Sequence, residues 1–138
     1  MPRPGPVTVV TRPVENAREL ADWARREGFE DLRPEVWHVT VILADRNTAL
    51  SLDAGSLTLE PDLNRAVVRM VGLVVLTLLS HALSGRHALH RQAGGRWDFS
   101  TYRPHISFAP DDGRALGPVR PFAGAVVLGP EMVDSGFA

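Results

Sequence analysis

With 138 residues, 44% of them hydrophobic and 22% charged, the chain has the make-up of an ordinary globular domain and the length for one core rather than two. A formal net charge of −1 speaks against a protein that coats long DNA or RNA, which carries a basic surplus. The absence of cysteine excludes disulfides and thiolate–zinc sites and fits a reducing compartment.

The start, Met1 to Pro6, is Pro-rich and lacks the apolar stretch of a signal peptide. Residues 1–5 are expected to be a flexible beginning to a single domain covering 1–138. Val7 to Val10 predicts a first strand. Val14-Glu15-Asn16 opens a helical stretch in which Ala17, Leu20, Ala21 and Ala24 recur at helical spacing, ending at Gly28. Residues 30–36 read as a loop because Pro34 cannot continue a helix. Trp37 to Leu43, rich in β-branched residues, predicts a second strand.

Gly55 to Leu59 reads as a short strand, and Arg65–Met70 with Leu73–Leu78 as a hairpin turning near Gly72. The apolar run Val71 to Leu79 is too short to cross a bilayer, and the protein is expected to be cytoplasmic. Ser80 is a suitable N-cap for a second helix over 81–92, closed by Gly94-Gly95. Residues 97–102 form a connector, 103–109 another strand and 123–128 a last one before Gly129-Pro130. Strand–helix–strand in each half predicts an α+β fold of two similar lobes, with antiparallel sheets and helices outside.

Each half ends on a strand bearing a His-x-(Thr/Ser) element: His38-Val39-Thr40 and His105-Ile106-Ser107. Residues two apart on a strand share a face, so His38 projects with Thr40 and His105 with Ser107. If the lobes meet across a cleft, two imidazoles and two hydroxyls converge. That set suits phosphodiester cleavage: one imidazole takes a proton from the attacking oxygen, and the other gives one to the leaving oxygen. The hydroxyls can donate to phosphate oxygens as charge builds there. From the pattern alone, two half-buried histidines satisfied by neighbouring hydroxyls explain the spacing equally well.

The surrounding residues extend the match. Thr11-Arg12-Pro13-Val14-Glu15-Asn16-Ala17, Trp23-Ala24, Gly28-Phe29, Gly94-Gly95-Arg96-Trp97-Asp98-Phe99, Tyr102-Arg103-Pro104-His105-Ile106-Ser107 and Leu128-Gly129-Pro130-Glu131 flank the two motifs. In these blocks the chain resembles the two-histidine (2H) phosphoesterase superfamily, and within it the phage anti-CBASS (cyclic-oligonucleotide antiphage signalling) phosphodiesterases. The resemblance implies a bilobal, LigT-like 2H fold around a central cleft. It implies metal-independent cleavage of 3′–5′ linkages in cyclic di- and trinucleotide immune messengers, with neither cofactor nor metal and with the bacterial host cytoplasm as its setting. The substrate's own 2′-hydroxyl would attack and leave a 2′,3′-cyclic phosphate. The catalytic set would fall on His38, Thr40, His105 and Ser107, and a base-recognising carboxylate on Glu131. The chain departs from the family at Val9, where an aromatic residue is usual. It also departs after the first motif, where Leu43-Ala44-Asp45-Arg46-Asn47 replaces a Tyr-Ser-(Arg/Lys) turn and no Trp follows. An altered nucleotide preference is the corresponding expectation.

Several residues carry two readings. Trp97, Phe99 and Tyr102 suit core packing, or a ring stacked on a base; Tyr102, three before His105, is the one expected at the cleft. Spacing by two puts Arg103 on the face of His105 and Ser107, where it would meet phosphate. Without the resemblance Glu131 is a surface carboxylate; with it, its oxygens would accept from a base's exocyclic amine. His81, His87 and His90 are expected on an exposed polar helix face rather than as metal ligands, and Arg86, Arg91 and Arg96 on a solvated face, or as a basic stretch that steers a phosphate-bearing ligand toward the cleft. Residues 45–63 suggest a lid or a connector. The competing functions are a 2′,3′-cyclic phosphodiesterase of RNA ends and a non-catalytic cyclic-nucleotide binding module. No membrane partner and no stable long nucleic-acid partner are expected.

Overall fold

The computed structural model describes residues 7–45 and 47–134; the expectation of a flexible start over 1–5 lies outside them. The elements are β1 (Val7–Pro13), α1 (Ala17–Arg26), a 3₁₀ turn (Pro34–Val36), β2 (His38–Asp45), β3 (Leu57–Leu59), β4 (Val67–Met70), β5 (Leu73–Thr77), α2 (His81–Gln92), β6 (His105–Pro110), β7 (Val126–Leu128) and β8 (Met132–Asp134). They build an α+β fold with a six-stranded sheet in the order β4-β5-β6-β2-β1-β8 and a two-stranded sheet, β3-β7. All the strand pairings are antiparallel. The strands carrying the two motifs, far apart in the chain, are therefore neighbours at the centre of one sheet. No helix among the described residues is long and apolar enough to cross a membrane.

Local chemistry sets the helix ends. Gly28 (φ 91) lets α1 close with Gly28 N–H donating to Arg25 O and Phe29 N–H to Ala24 O; Gly94 (φ 104) closes α2 the same way onto Arg91 and His90. This paired closure needs a left-handed residue that only glycine adopts without strain. Ser80 caps α2 by accepting from Leu83 N–H at 3.1 Å. Asn16 serves α1 differently. Its amide reaches across to β7, donating to Ala125 O and accepting from Val127 N–H, so it ties the helix start to the small sheet.

The core lies on the face of Val39, Val41, Ile106 and Phe108. Trp23, Phe29 and Trp37 set their rings around Phe108, an aromatic cluster of large buried area. The hairpin turns through Val71 and Gly72, both with positive φ.

Two expected strand bounds are corrected. The strand predicted over 103–109 begins at His105, and the one over 123–128 at Val126. β8 was not foreseen: three exposed residues on the sheet edge give no alternation to read. Within residues 47–63, read as a lid or a connector, Ser51, Asp53 and Gly55 are held by hydrogen bonds from Arg86 and Arg12.

Candidate active site

Val39 opposes Ile106 across β2 and β6, and neither has exposed surface. One step along an antiparallel pair then sets His38 across from Ser107 and Thr40 across from His105. These four are half-buried and share the sheet face opposite the core. The histidines sit on a diagonal, with their Cα atoms roughly 8 Å apart from strand rise and spacing.

Each strand carries a bulge at the same point. On β2, Val10 pairs with Ile42 and Thr11 with Thr40, which leaves Val41 without a partner. On β6, Val74 pairs with Ala109 and Val75 with Ser107, which leaves Phe108 unpaired. A bulge bends its strand and re-aims the adjacent side chain. Here it follows the hydroxyl residue in both motifs. Burial follows it: the buried doublets Val41-Ile42 and Phe108-Ala109 interrupt the alternation.

The imidazoles are held alike. His38 Nδ1 lies 2.9 Å from Val36 O, and His105 Nδ1 lies 2.7 Å from Arg103 O. A carbonyl oxygen only accepts, so Nδ1 carries the hydrogen in both rings. Nε2 in each ring, and the Thr40 and Ser107 hydroxyls, have no hydrogen-bond partner among the described residues.

The remaining expected residues divide. Tyr102 donates its hydroxyl to Thr40 O at 2.8 Å and stacks on His87, with centroids 4.2 Å apart. Burial pushes its hydroxyl well above the ordinary phenol range, which keeps it a donor. Trp97 stands edge-on to both rings and donates to Thr101 O; Phe99, beyond it, is exposed. Arg103 is exposed and lines a hollow with Thr77, Ser80 and Ser84 at the His105 end of the site. It precedes β6, so strand alternation does not govern its direction.

Glu131 is not the surface carboxylate that the pattern alone suggests. Its side chain has no exposure and accepts from the Asp53 amide, from Arg86 Nε and Nη2, and from His90 Nε2 at 2.9 Å. Arg12, also buried, lies 3.7 Å away and bonds Asp53 at 2.6 Å. Burial pushes the Glu131 carboxyl up, but Arg86, the Asp53 amide and His90 outweigh it and hold it at about 2. A carboxylate compensated in this way remains ionised inside the protein.

Sequence reasoning missed Arg12, His87 and His90, and placed the histidines of α2 on an exposed polar face. His81 is exposed, but His87 is half-buried and His90 buried, because α2 rests this face on β2. Arg86 and Arg96 are likewise engaged, with Glu131 and with Asp45 and Asp98 respectively. The signal was present: Leu83, His87 and His90 follow the i, i+4, i+7 spacing of one helix face. Among the described residues, no group of three or more His, Cys, Asp or Glu side chains could hold a metal ion.

Comparison with known proteins adds three matches. The model of a family described as anti-CBASS protein Acb1 matches residues 7–135. A protein of Caulobacter sp. (strain RHG1) called anti-CBASS protein Acb1 is 32% identical over 144 residues, covering 96% of this chain and 22% of that relative. One of the same name from Sphingomonas paeninsulae is 32% identical over 144 residues, covering 95% of this chain and 23% of the relative. The chain thus spans less than a quarter of the length of these curated relatives.

Proposed function

The chain belongs to the anti-CBASS protein Acb1 family, and from that premise we propose that it is a two-histidine phosphodiesterase that cleaves the 3′–5′ linkages of cyclic di- and trinucleotide immune messengers and so counters CBASS defence. The observation that carries the reading is the shared geometry of the two motifs. Neighbouring central strands set His38 and Thr40 against His105 and Ser107, each imidazole oriented through Nδ1 by the carbonyl two residues before it. The matched halves, β1–β2 and β5–β6 with their equivalent bulges, also support the bilobal 2H superfamily fold as the ancestry of the site.

The chemistry follows from the atoms left free. With Nδ1 committed, proton transfer falls to Nε2 of each ring. In one ring Nε2 is bare and takes the proton of the substrate's 2′-hydroxyl as O2′ bonds to the adjacent 3′ phosphorus. In the other, protonated, ring Nε2–H passes its proton to the departing O5′. The P–O5′ bond breaks, and a 2′,3′-cyclic phosphate and a 5′-hydroxyl remain. Thr40 and Ser107 supply hydroxyl donors to the non-bridging oxygens as their charge grows. Acid, base and anion donors are all side chains, so the reaction as drawn needs no metal.

The test is incubation of the purified protein, in EDTA, with 3′,3′-cyclic GMP–AMP and with cyclic triadenylate, with a His38→Ala, His105→Ala double variant as control. Mass spectrometry should find linear products ending in a cyclic phosphate from the parent alone. Tight binding without cleavage would refute catalysis and leave a sequestering module. Neither binding nor cleavage would refute the substrate class and move attention to RNA ends bearing 2′,3′-cyclic phosphates.

A further inference from the structure

The bulge that aims Thr40 needs its backbone satisfied, because an inserted residue leaves the ladder with unpaired groups. Past Val39, the main-chain bonds of β2 outside its pairing with β1 run at Leu43, which exchanges both with Arg96. Between these points two side chains supply donors to consecutive carbonyls. Tyr102 Oη–H donates to Thr40 O at 2.8 Å, and His87 Nδ1 lies 2.7 Å from the bulge carbonyl, Val41 O. The donors come from different elements, α2 and the segment before β6. They are locked together by a parallel stack with an interplanar angle of 4°, and Trp97 abuts both rings edge-on.

Resting on the phosphodiesterase reading, we infer that His87 is a positioning residue for the reaction: its Nδ1–H bond to Val41 O, braced by the stacked Tyr102, fixes the bulge that directs the Thr40 hydroxyl. Val41 O accepts only, so His87 holds its hydrogen on Nδ1. Burial lowers its pKa from the ordinary histidine value, which favours the neutral ring that stacks here. Among the described residues His87 makes no hydrogen bond to a side chain of either motif. It acts through the backbone between Thr40 and Ile42, the link that sets hydroxyl direction rather than hydroxyl chemistry. Displacement of a donor by an ångström at a reacting centre costs up to about a hundredfold in rate.

Two variants separate the donor from the ring. His87→Phe keeps a ring against Tyr102 and removes the donor; His87→Asn places an amide N–H where Nδ1 stood. Steady-state cleavage of 3′,3′-cyclic GMP–AMP and the methyl signal of Thr40 in threonine-labelled protein are read together. For His87→Phe, kcat is expected to fall roughly tenfold to a hundredfold with KM within about twofold, and the Thr40 methyl to shift. His87→Asn should recover most of both, and the unfolding temperature of His87→Phe should fall by no more than one lost hydrogen bond costs. A His87→Phe protein with parental kcat and an unmoved Thr40 signal would overturn the inference, as would an effect confined to KM. If the parent itself does not cleave, the phosphodiesterase reading fails on its own, and the Thr40 signal still decides the positioning: unmoved in His87→Phe, it overturns it.

Discussion

Val41 on β2 and Phe108 on β6 stand in the same relation to the two motifs: each is the unpaired residue of a bulge, directly after Thr40 and Ser107. Their anchorage differs. Val41 has its carbonyl held by His87, whereas Phe108 is held by its ring, which Trp23 and Phe29 meet at 5.0 Å and Trp37 at 6.3 Å. Phe108→Ala should therefore cost roughly 3–5 kcal/mol of stability. Urea unfolding measures it, and a loss below about 1 kcal/mol would show that the aromatic cluster does not secure the second bulge.

His38 and His105 are half-buried and, among the described residues, bond only to carbonyls two residues away, so removing either ring should spare the fold. We expect His38→Ala and His105→Ala each to lower kcat/KM on a cyclic dinucleotide by about 10²- to 10⁴-fold. Midpoints of unfolding should stay within about 0.5 kcal/mol of the parent. If the two rings act as a unit, the double variant should lose little more than the worse single one. Fully multiplicative losses would argue against coupled acid–base work.

How far this site was legible in the sequence follows from the range of each interaction. The His-x-(Thr/Ser) faces needed only strand alternation, and α2 over 81–92 needed only Ser80 and the Gly94-Gly95 pair, so both were readable. The bulges left a trace in the apolar doublets Val41-Ile42 and Phe108-Ala109, which a strict period of two passes over. Glu131 was opaque, because its partners Arg12, Asp53, Arg86 and His90 come from separate segments. A carboxylate after Gly-Pro looks exposed until Arg12, Arg86 and His90 are folded around it.

The β4–β5 turn carries a local fault. Val71 is fully exposed and sits at φ 45, followed by Gly72 at φ 79, a pair with the positive φ signs of a type I′ hairpin turn. A β-branched residue is strained there by about 1–2 kcal/mol, whereas asparagine tolerates it. Val71→Asn should raise stability by about 1 kcal/mol and the midpoint of thermal unfolding by about 2–8 °C, with no change in cleavage. An unchanged or lower midpoint would show that the turn relaxes around valine at no cost.

Glu131 sets the acid limit. Its carboxyl, ordinarily at 4.5, is held at about 2 in the folded protein by Arg86, the Asp53 amide and His90, against burial. A depressed carboxylate contributes stability that is fully present above its unfolded value and is lost as pH falls through the folded one. The contribution, on the order of 3 kcal/mol, should therefore fade between about pH 5 and pH 2 and be intact at pH 7. Glu131→Gln removes the counter-charge of the half-buried Arg86 and leaves the buried Arg12 with Asp53 alone, and should cost on the order of 3 kcal/mol at pH 7. The same change removes this titration, so the gap between parent and variant should narrow steadily as the medium is acidified. Asp111 and Asp112, also depressed, lie outside this network and titrate alike in both proteins, so the difference between the two urea-midpoint curves reports Glu131 together with Asp53, which shares Arg12 with it. Parallel curves from pH 7 to pH 3 would mean that the buried carboxylate keeps its proton balance on unfolding, contrary to the network described above.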